Sequence, residues 1–184
     1  AVPEGVDPAA VASADNIPDG YRTVAPHLAA RPGARVLIVG GGAASIGLYA
    51  AASALALGAG GVDYVDRDAA RLALASRLGA TAIHSREWLR KERYPITVDA
   101  SGHPVWLERA LRATEPGGVC TSVGIYFARR TPMPPVAMYT TGVTFITSRV
   151  NASSVLPTAL DLVREGRLAP QRVTTRTAAW DDAP

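Results

Sequence analysis

The nine residues VGGGAASIG, Val39 to Gly47, admit two chemistries. Glycines leading into a helix let backbone N–H groups and the positive end of the helix dipole approach a phosphate closely. The same stretch also holds Ser45-Ile46-Gly47, the S-x-G half of the G-x-S-x-G elbow that exposes a nucleophilic serine on a strand-to-helix turn. A serine nucleophile on such a fold needs an acid and then a histidine further along the chain. Of His27, His84 and His103, only His103, with Asp99 shortly before it, supplies that pair. Those two would sit at one strand end, with little room to build a triad across the sheet, and Ala43 stands where the elbow requires glycine. The phosphate loop is therefore the better reading, with Gly40, Gly41, Gly42, Ser45, Ile46 and Gly47 facing a diphosphate as a unit. The register stays open. Gly40 to Gly47 spans 47 − 40 = 7 positions, against five between the first and last glycines of G-x-G-x-x-G. Starting at Gly42 restores the five but puts Ala44 in place of the middle glycine.

An acid follows at the expected distance. Asp66 lies 66 − 47 = 19 residues beyond Gly47 and closes the strand-like GVDYV, about where a carboxylate accepts hydrogen bonds from the adenosine ribose, with roughly 20 residues as the usual separation. The alternative for Asp66 is a cap on the helix that follows. An acid here repels the 2′-phosphate of NADP and so favours NAD, whereas the adjacent Arg67 could pair with that phosphate and admit NADP.

These residues need a scaffold of alternating strands and helices, and the chain supplies one. RVLIV, Arg35 to Val39, is a short run of branched apolar residues suited to a strand buried on both faces. Ser45 to Leu57 and Asp68 to Leu78 read as helices, the second capped by Asp68 and stopped at Gly79. Strands are expected at Gly61 to Val65, Thr81 to Ile83, Ile96 to Ala100, Val119 to Val123 and Val143 to Thr147. Further helices are expected around Gly20 to Ala30, Val105 to Ala113 and Ser154 to Glu165, and a loop or extended edge over the proline-rich Ala128 to Tyr139. The alternation predicts an α/β fold with a doubly wound parallel sheet, a Rossmann fold, formed by residues 1–184 as a single dinucleotide-binding domain.

Composition narrows the partners. With 48% apolar and 19% charged residues the chain suits a packed core rather than disorder. The net charge of +3 is spread over arginines, and the one small cluster, Arg90, Lys91 and Arg93, is diluted by Glu92, so no nucleic-acid stripe is expected. Cys120 is the only cysteine, which rules out an intrachain disulfide and a Cys-x-x-Cys metal site. No apolar run approaches the about 18 residues that span a bilayer, and AVPEGVDPAA has no signal-peptide pattern, so a cytoplasmic location away from membranes is expected.

Taken together, VLIVGGGAASIGLYAAASALALGA, VDYVDRDAARLALASRLGA, ITVDASG, EPGGVCTSVG and VNASSVLPTALDLVREGRLAP occur in the order and spacing of one family. The chain resembles the cofactor-binding half of the medium-chain dehydrogenase/reductases, the zinc-type alcohol dehydrogenases, with a glycine loop two residues longer than usual. The resemblance implies hydride transfer between an alcohol or carbonyl carbon and a nicotinamide. Arg71, five positions after Asp66, matches a basic residue of the cofactor site. It also implies that Ala100, Ser101 and Gly102, with Val123, Gly124 and Ile125, line the cofactor crevice. Thr147 to Arg149 would approach the nicotinamide, with Arg149 at a position where relatives use arginine near the cofactor phosphates or ribose, the alternative for Arg149 being a surface charge. In DNIPDGY, Asp15 matches the family's third zinc ligand, although Asp19 replaces the usual threonine of the following turn; a helix cap or solvent-facing acid is the alternative. Zinc is expected only in a complete enzyme, because the resemblance places the other ligands in a catalytic domain that this chain lacks. By itself the chain is expected to be inactive, and pairing through the sheet edge would make a homodimer. Three other readings stand beside this one: a zinc-free quinone reductase branch, a methyltransferase using S-adenosylmethionine, and a nucleotide-binding module without catalysis.

Overall fold

The computed structural model describes residues 2, 4–88 and 92–182. Arg90, Lys91 and Pro184 lie outside the described residues. The elements are α1 (Asn16–Arg22), α2 (Ala25–Ala30), β1 (Arg35–Val39), α3 (Ala44–Ala56), β2 (Gly61–Asp66), α4 (Ala69–Leu78), β3 (Thr81–His84), β4 (Tyr94–Asp99), α5 (Pro104–Ala113), β5 (Thr114–Ser122), α6 (Pro135–Thr141), β6 (Thr144–Thr147) and α7 (Ala152–Arg164). Six strands, all paired in parallel, form one sheet in the order β3-β2-β1-β4-β5-β6. That is the strand order of dinucleotide-binding sheets, and the direction of winding reverses between β1 and β4.

The apolar run of β1 has lost its alternation because both faces are covered. Val36 and Ile38 pack into a core with Ile17 of α1, Ala50 of α3, Leu74 of α4 and Leu162 of α7, while Leu37 and Val39 pack into a second core with Leu107 and Leu111 of α5. Cys120 belongs to the second core; burial pushes its thiol up to about 12, so it behaves as a small apolar residue. As expected, Asp68 caps α4 by accepting from the Arg71 amide at 2.8 Å, and Gly79, at φ +105°, ends it.

Three stretches differ from expectation, each for a local reason. The helix expected over Gly20 to Ala30 is two helices. Pro26 sits in the first turn of α2, where its missing N–H is harmless, but in a continuous helix it would break the backbone ladder to Arg22. The strands β4 and β5 begin earlier, at Tyr94 and Thr114. Their ladder slips between Tyr94↔Thr114 and Ile96↔Val119, so 96 − 94 = 2 positions on β4 oppose 119 − 114 = 5 on β5, and the turn EPGG is absorbed as an irregularity in a strand. The proline-rich segment expected as a loop contains α6, with Pro135 tolerated in its first turn and Gly142, at φ +64°, closing it.

Candidate functional site

The glycine loop lies between the C-terminal ends of β1 and β4, which run side by side with Val39 opposite Asp99. Its glycines do different jobs, which explains the extra length. A Cβ on Gly40 would lie 2.7 Å from Tyr64 Cζ and nearer still to the Tyr64 hydroxyl and Asp66 Oδ2. On Gly41 it would lie 2.9 Å from the Ser101 backbone, at a φ of +152° that side chains rarely adopt, and on Gly42 it would lie 3.0 Å from the Ser101 carbonyl. The Gly42 amide donates to that carbonyl at 2.8 Å, and the Ala43 amide donates to the Ala100 carbonyl at 2.9 Å. The loop is thus folded down onto the turn after β4. Gly47 faces no cleft; its missing Cβ lets α3 approach Ala100, which is itself fully buried.

The first backbone bond closing the start of α3 runs from the Gly47 amide to the Ala43 carbonyl, at 3.0 Å, and no side chain caps the helix. The amides of Ala44, Ser45 and Ile46 therefore occupy the positions whose N–H groups have no helical acceptor, the arrangement that attracts anions. The Ser45 hydroxyl oxygen accepts from the Asn16 side-chain amide at 2.9 Å, so its own proton remains available as a donor.

Asp66 closes β2 next to this loop, with its side chain 2% exposed. Five donors converge on the carboxylate. Oδ1 accepts from the amides of Arg67 (2.6 Å) and Asp68 (3.0 Å) and from Arg71 Nη2 (2.9 Å); Oδ2 accepts from Arg71 Nε (2.7 Å) and from the Tyr64 hydroxyl (3.3 Å). Burial alone would raise the carboxyl pKa, but the Arg71 guanidinium and the two amides outweigh it and hold the group below its ordinary 3.8. The acid is charged and already bidentately paired. Arg67 is exposed, and its guanidinium has no ion-pair partner among the described residues. A cleft of about 380 Å³ brings Gly40, Gly41, Gly42, Asp66, Arg67 and Arg71 together, with Ser101 and Gly102 on the opposite wall.

A second cleft, of about 860 Å³, opens along the ends of β5 and β6. Ile46, Val123, Gly124 and Ile125 form part of its wall, with Thr147 and Arg149 on one side and Asp15 on the other. Arg22 ties these elements together: its guanidinium bonds Asp19 at 2.6 Å and donates to the Ser148 hydroxyl and carbonyl at 3.1 and 2.7 Å. Ser45, Ser101 and Val123 line a third opening, which shares Ser101 and Gly102 with the first cleft and Ile46 and Val123 with the second. The residues singled out by sequence thus form one continuous crevice along the C-terminal edge of the sheet, except Gly47 and Ala100, which pack against each other behind it.

A family model for zinc-binding dehydrogenases matches residues 45–165, well over half of the chain. The chain belongs to the zinc-binding dehydrogenase family. A probable zinc-binding alcohol dehydrogenase of Mycobacterium tuberculosis is 30% identical over 99% of this chain and 48% of its own length. The solved structure of an alcohol dehydrogenase from Thermus sp. ATN1 superposes with a TM-score of 0.83 at 28% identity, covering 95% of this chain and 52% of that one. A putative zinc-binding dehydrogenase from Sinorhizobium meliloti, solved with NADP, has the same fold at a TM-score of 0.76 and 21% identity, covering 97% of this chain and 59% of that one. The chain spans about half the length of the curated relatives it matches.

For a zinc-binding dehydrogenase the metal question is direct. Asp15 is exposed, its side chain makes no capping bond to α1, and it borders the larger cleft. An oxygen ligand suits zinc, which takes three protein ligands in catalytic sites. Among the described residues no group of three or more His, Cys, Asp or Glu side chains could hold an ion. The chemistry of an exposed carboxylate such as Asp15 suits one ligand of such a set and no more. No helix among the described residues is long and apolar enough to cross a membrane.

Three residues gain a place at the site only from the structure. Tyr64 sits two residues before Asp66 on the same face of β2, and strand periodicity could have placed it beside the acid. Asp99 and Tyr126 meet only through the fold: the Tyr126 hydroxyl donates to Asp99 Oδ2 at 2.6 Å across 27 positions of sequence.

Proposed function

We propose that this chain is the NAD(P)-binding domain of an alcohol dehydrogenase-like oxidoreductase, in which a hydride passes between an alcohol or carbonyl carbon and a nicotinamide. The observation that carries the reading is the pair of clefts joined by an opening that the uncapped first turn of α3 lines, one cleft walled by Asp66 and the other by Thr147 and Arg149. A dinucleotide has two ends joined by a diphosphate. Its adenosine ribose would lie by Asp66 and Arg71, its diphosphate against the amides of Ala44, Ser45 and Ile46, and its nicotinamide in the larger cleft by Val123, Gly124 and Ile125. Related folds support a nicotinamide cofactor: one from E. coli was solved with NADH and the S. meliloti protein with NADP.

NAD is the favoured form, because Asp66 presents two acceptor oxygens where NADP would bring a phosphate. Arg71 neutralises part of that charge and Arg67 is free to meet a phosphate, so NADP is accepted more weakly rather than excluded. In a complete enzyme zinc would polarise the substrate oxygen, and Asp15 would be one of its ligands. The other ligands and the proton relay would come from the remainder of such an enzyme, so catalysis is not expected of these residues alone. A zinc-free quinone reductase would use the same cofactor crevice and leave Asp15 without a metal. Calorimetric titration of the chain with NAD, NADP and S-adenosylmethionine tests the reading. Saturable binding of NAD, with weaker NADP, is the expected result; binding of S-adenosylmethionine with neither dinucleotide overturns it.

A homodimer through the sheet edge belongs to the same reading. The strand β6 is an edge, α6, which precedes it in the chain, has no buried residue, and Val136 and Tyr139 on that helix are 77% and 89% exposed. Such an edge and patch are where a second copy would dock. Sedimentation at high concentration should give twice the chain's mass, and a purely monomeric profile would refute the pairing.

A further inference from the structure

Asp99 ends β4 at the switch point with no exposed surface, and no cation pairs with it among the described residues. A buried carboxylate without a counter-charge is costly unless every lone pair is met by a donor. Four bonds meet these. Oδ1 accepts from the Ser101 amide (3.1 Å) and hydroxyl (2.5 Å), and Oδ2 accepts from the Ser122 hydroxyl (2.7 Å) and the Tyr126 hydroxyl (2.6 Å). These donors come from three places: the turn after β4, the end of β5, and the segment after β5.

That segment forms a wall of the larger cleft, and it is held very close to the turn. A Cβ on Gly124 would lie 2.9 Å from both the amide nitrogen and Cα of Gly102, and 3.0 Å from the Tyr126 ring. The wall has few other anchors, since Ile125 and Phe127 on either side of Tyr126 are 71% and 92% exposed. Val123 is tied down separately, its amide donating to the Asp99 carbonyl at 2.9 Å. The chain beyond it is fixed chiefly by the tyrosine. Burial, and then the charge of Asp99, push the Tyr126 phenol above its ordinary value of 10, so it stays protonated and donating at neutral pH.

We propose that Asp99 and Tyr126 are positioning residues for the nicotinamide half of the cofactor, Asp99 drawing the Tyr126 hydroxyl inward so that Gly124 and Ile125 stand at a fixed distance from Gly102. This inference rests on the dinucleotide reading of the crevice. The adenosine half is fixed by Asp66, Arg71 and Tyr64, none of which bonds Tyr126 or Ser122. Ser101 is shared, bonding Asp99 and lining the smaller cleft, whereas Tyr126 and Ser122 line the larger one, so the nicotinamide half is the one fixed through those two side chains. A pre-set wall lowers the ordering cost of binding at that half alone.

The prediction is therefore a split between ligands. The Tyr126→Phe variant removes one hydrogen bond to a charged acceptor and keeps the ring that packs against Gly124 and the second core. Bonds of that kind are worth enough for NADH to bind about tenfold more weakly, while ADP, which carries the adenosine and diphosphate only, should bind within about twofold of the parent. The smaller truncation Ser122→Ala, at the neighbouring donor, should show the same split. Calorimetric titration of parent and variant chains with NADH and with ADP reads both. An equal loss of NADH and ADP affinity in both variants would mean general loosening and overturn the inference, as would unchanged NADH affinity. A parent chain that binds neither NADH nor ADP would instead overturn the dinucleotide reading itself, and the inference with it.

Discussion

Replacing Asp66 with alanine should weaken NAD binding about tenfold, and the structure explains why the effect is not larger. A carboxylate accepting two ribose hydroxyls would ordinarily contribute the worth of two charged hydrogen bonds, several kcal/mol in all. Here the oxygens already accept from Arg71, two amides and Tyr64. The incoming hydroxyls must displace part of this set, of which the Tyr64 bond, at 3.3 Å, is the longest. Only the difference appears as affinity, about one charged hydrogen bond, or roughly tenfold. The same substitution releases Arg71 next to the unpaired Arg67. The preference for NAD over NADP should therefore shrink, because Arg67 and an Arg71 held only by Asp68, at 3.7 Å, would face a 2′-phosphate. Titration of Asp66→Ala with both dinucleotides measures this. Unchanged NAD affinity would reject Asp66 as the ribose acceptor, and an unchanged NAD to NADP ratio would reject the account of Arg71.

The larger combined effect is expected at Gly40. In Gly40→Ala the methyl group would be driven into the Tyr64 ring and the Asp66 carboxylate, both nearly fully buried and held by neighbours. Neither is the loose end of a surface side chain, so overpacking should destabilise the fold by about 1–3 kcal/mol. It must also shift Asp66, the loop, or both, and so should weaken NAD binding by more than tenfold. Gly58→Ala is the comparison. Gly58 has a φ of +80° and open space around it, so alanine there brings backbone strain of about 1–2 kcal/mol far from the crevice. It should lower the melting temperature without changing NAD affinity. A Gly40→Ala chain that binds NAD like the parent would contradict the placement of the loop against Asp66.

Much of this site was legible because its chemistry is local or periodic. The strand-loop-helix at Val39 to Gly47 and the acid at Asp66 are marked by spacing alone, and continuous apolar strands announce a sheet covered on both faces. The ambiguous register had a non-local cause. Gly41 and Gly42 lie on the backbone of Ser101, some sixty positions later, and no local pattern encodes a partner that distant. The division between α1 and α2 was readable in principle from Pro26, whose missing N–H forbids the continuous helix. The helix α6 was hidden by the prolines around it, which disfavour helix interiors but suit first turns. Asp99 and Tyr126 were invisible for a different reason. A carboxylate at a strand end looks the same in sequence whether it meets a cation, water or three hydroxyls, and only the pairing of β4 with β5 brings Ser122 and Tyr126 to it.

The central claim is that the glycine loop, the start of α3 and Asp66 form one dinucleotide site continuous with the cleft beside Arg149. Competition between NADH and ADP on the parent chain tests it most directly. The account predicts that NADH binds one per chain, with its fluorescence changed, and that saturating ADP displaces it completely in single-site fashion. NADH binding that persists under saturating ADP, or no NADH binding at all, would contradict it.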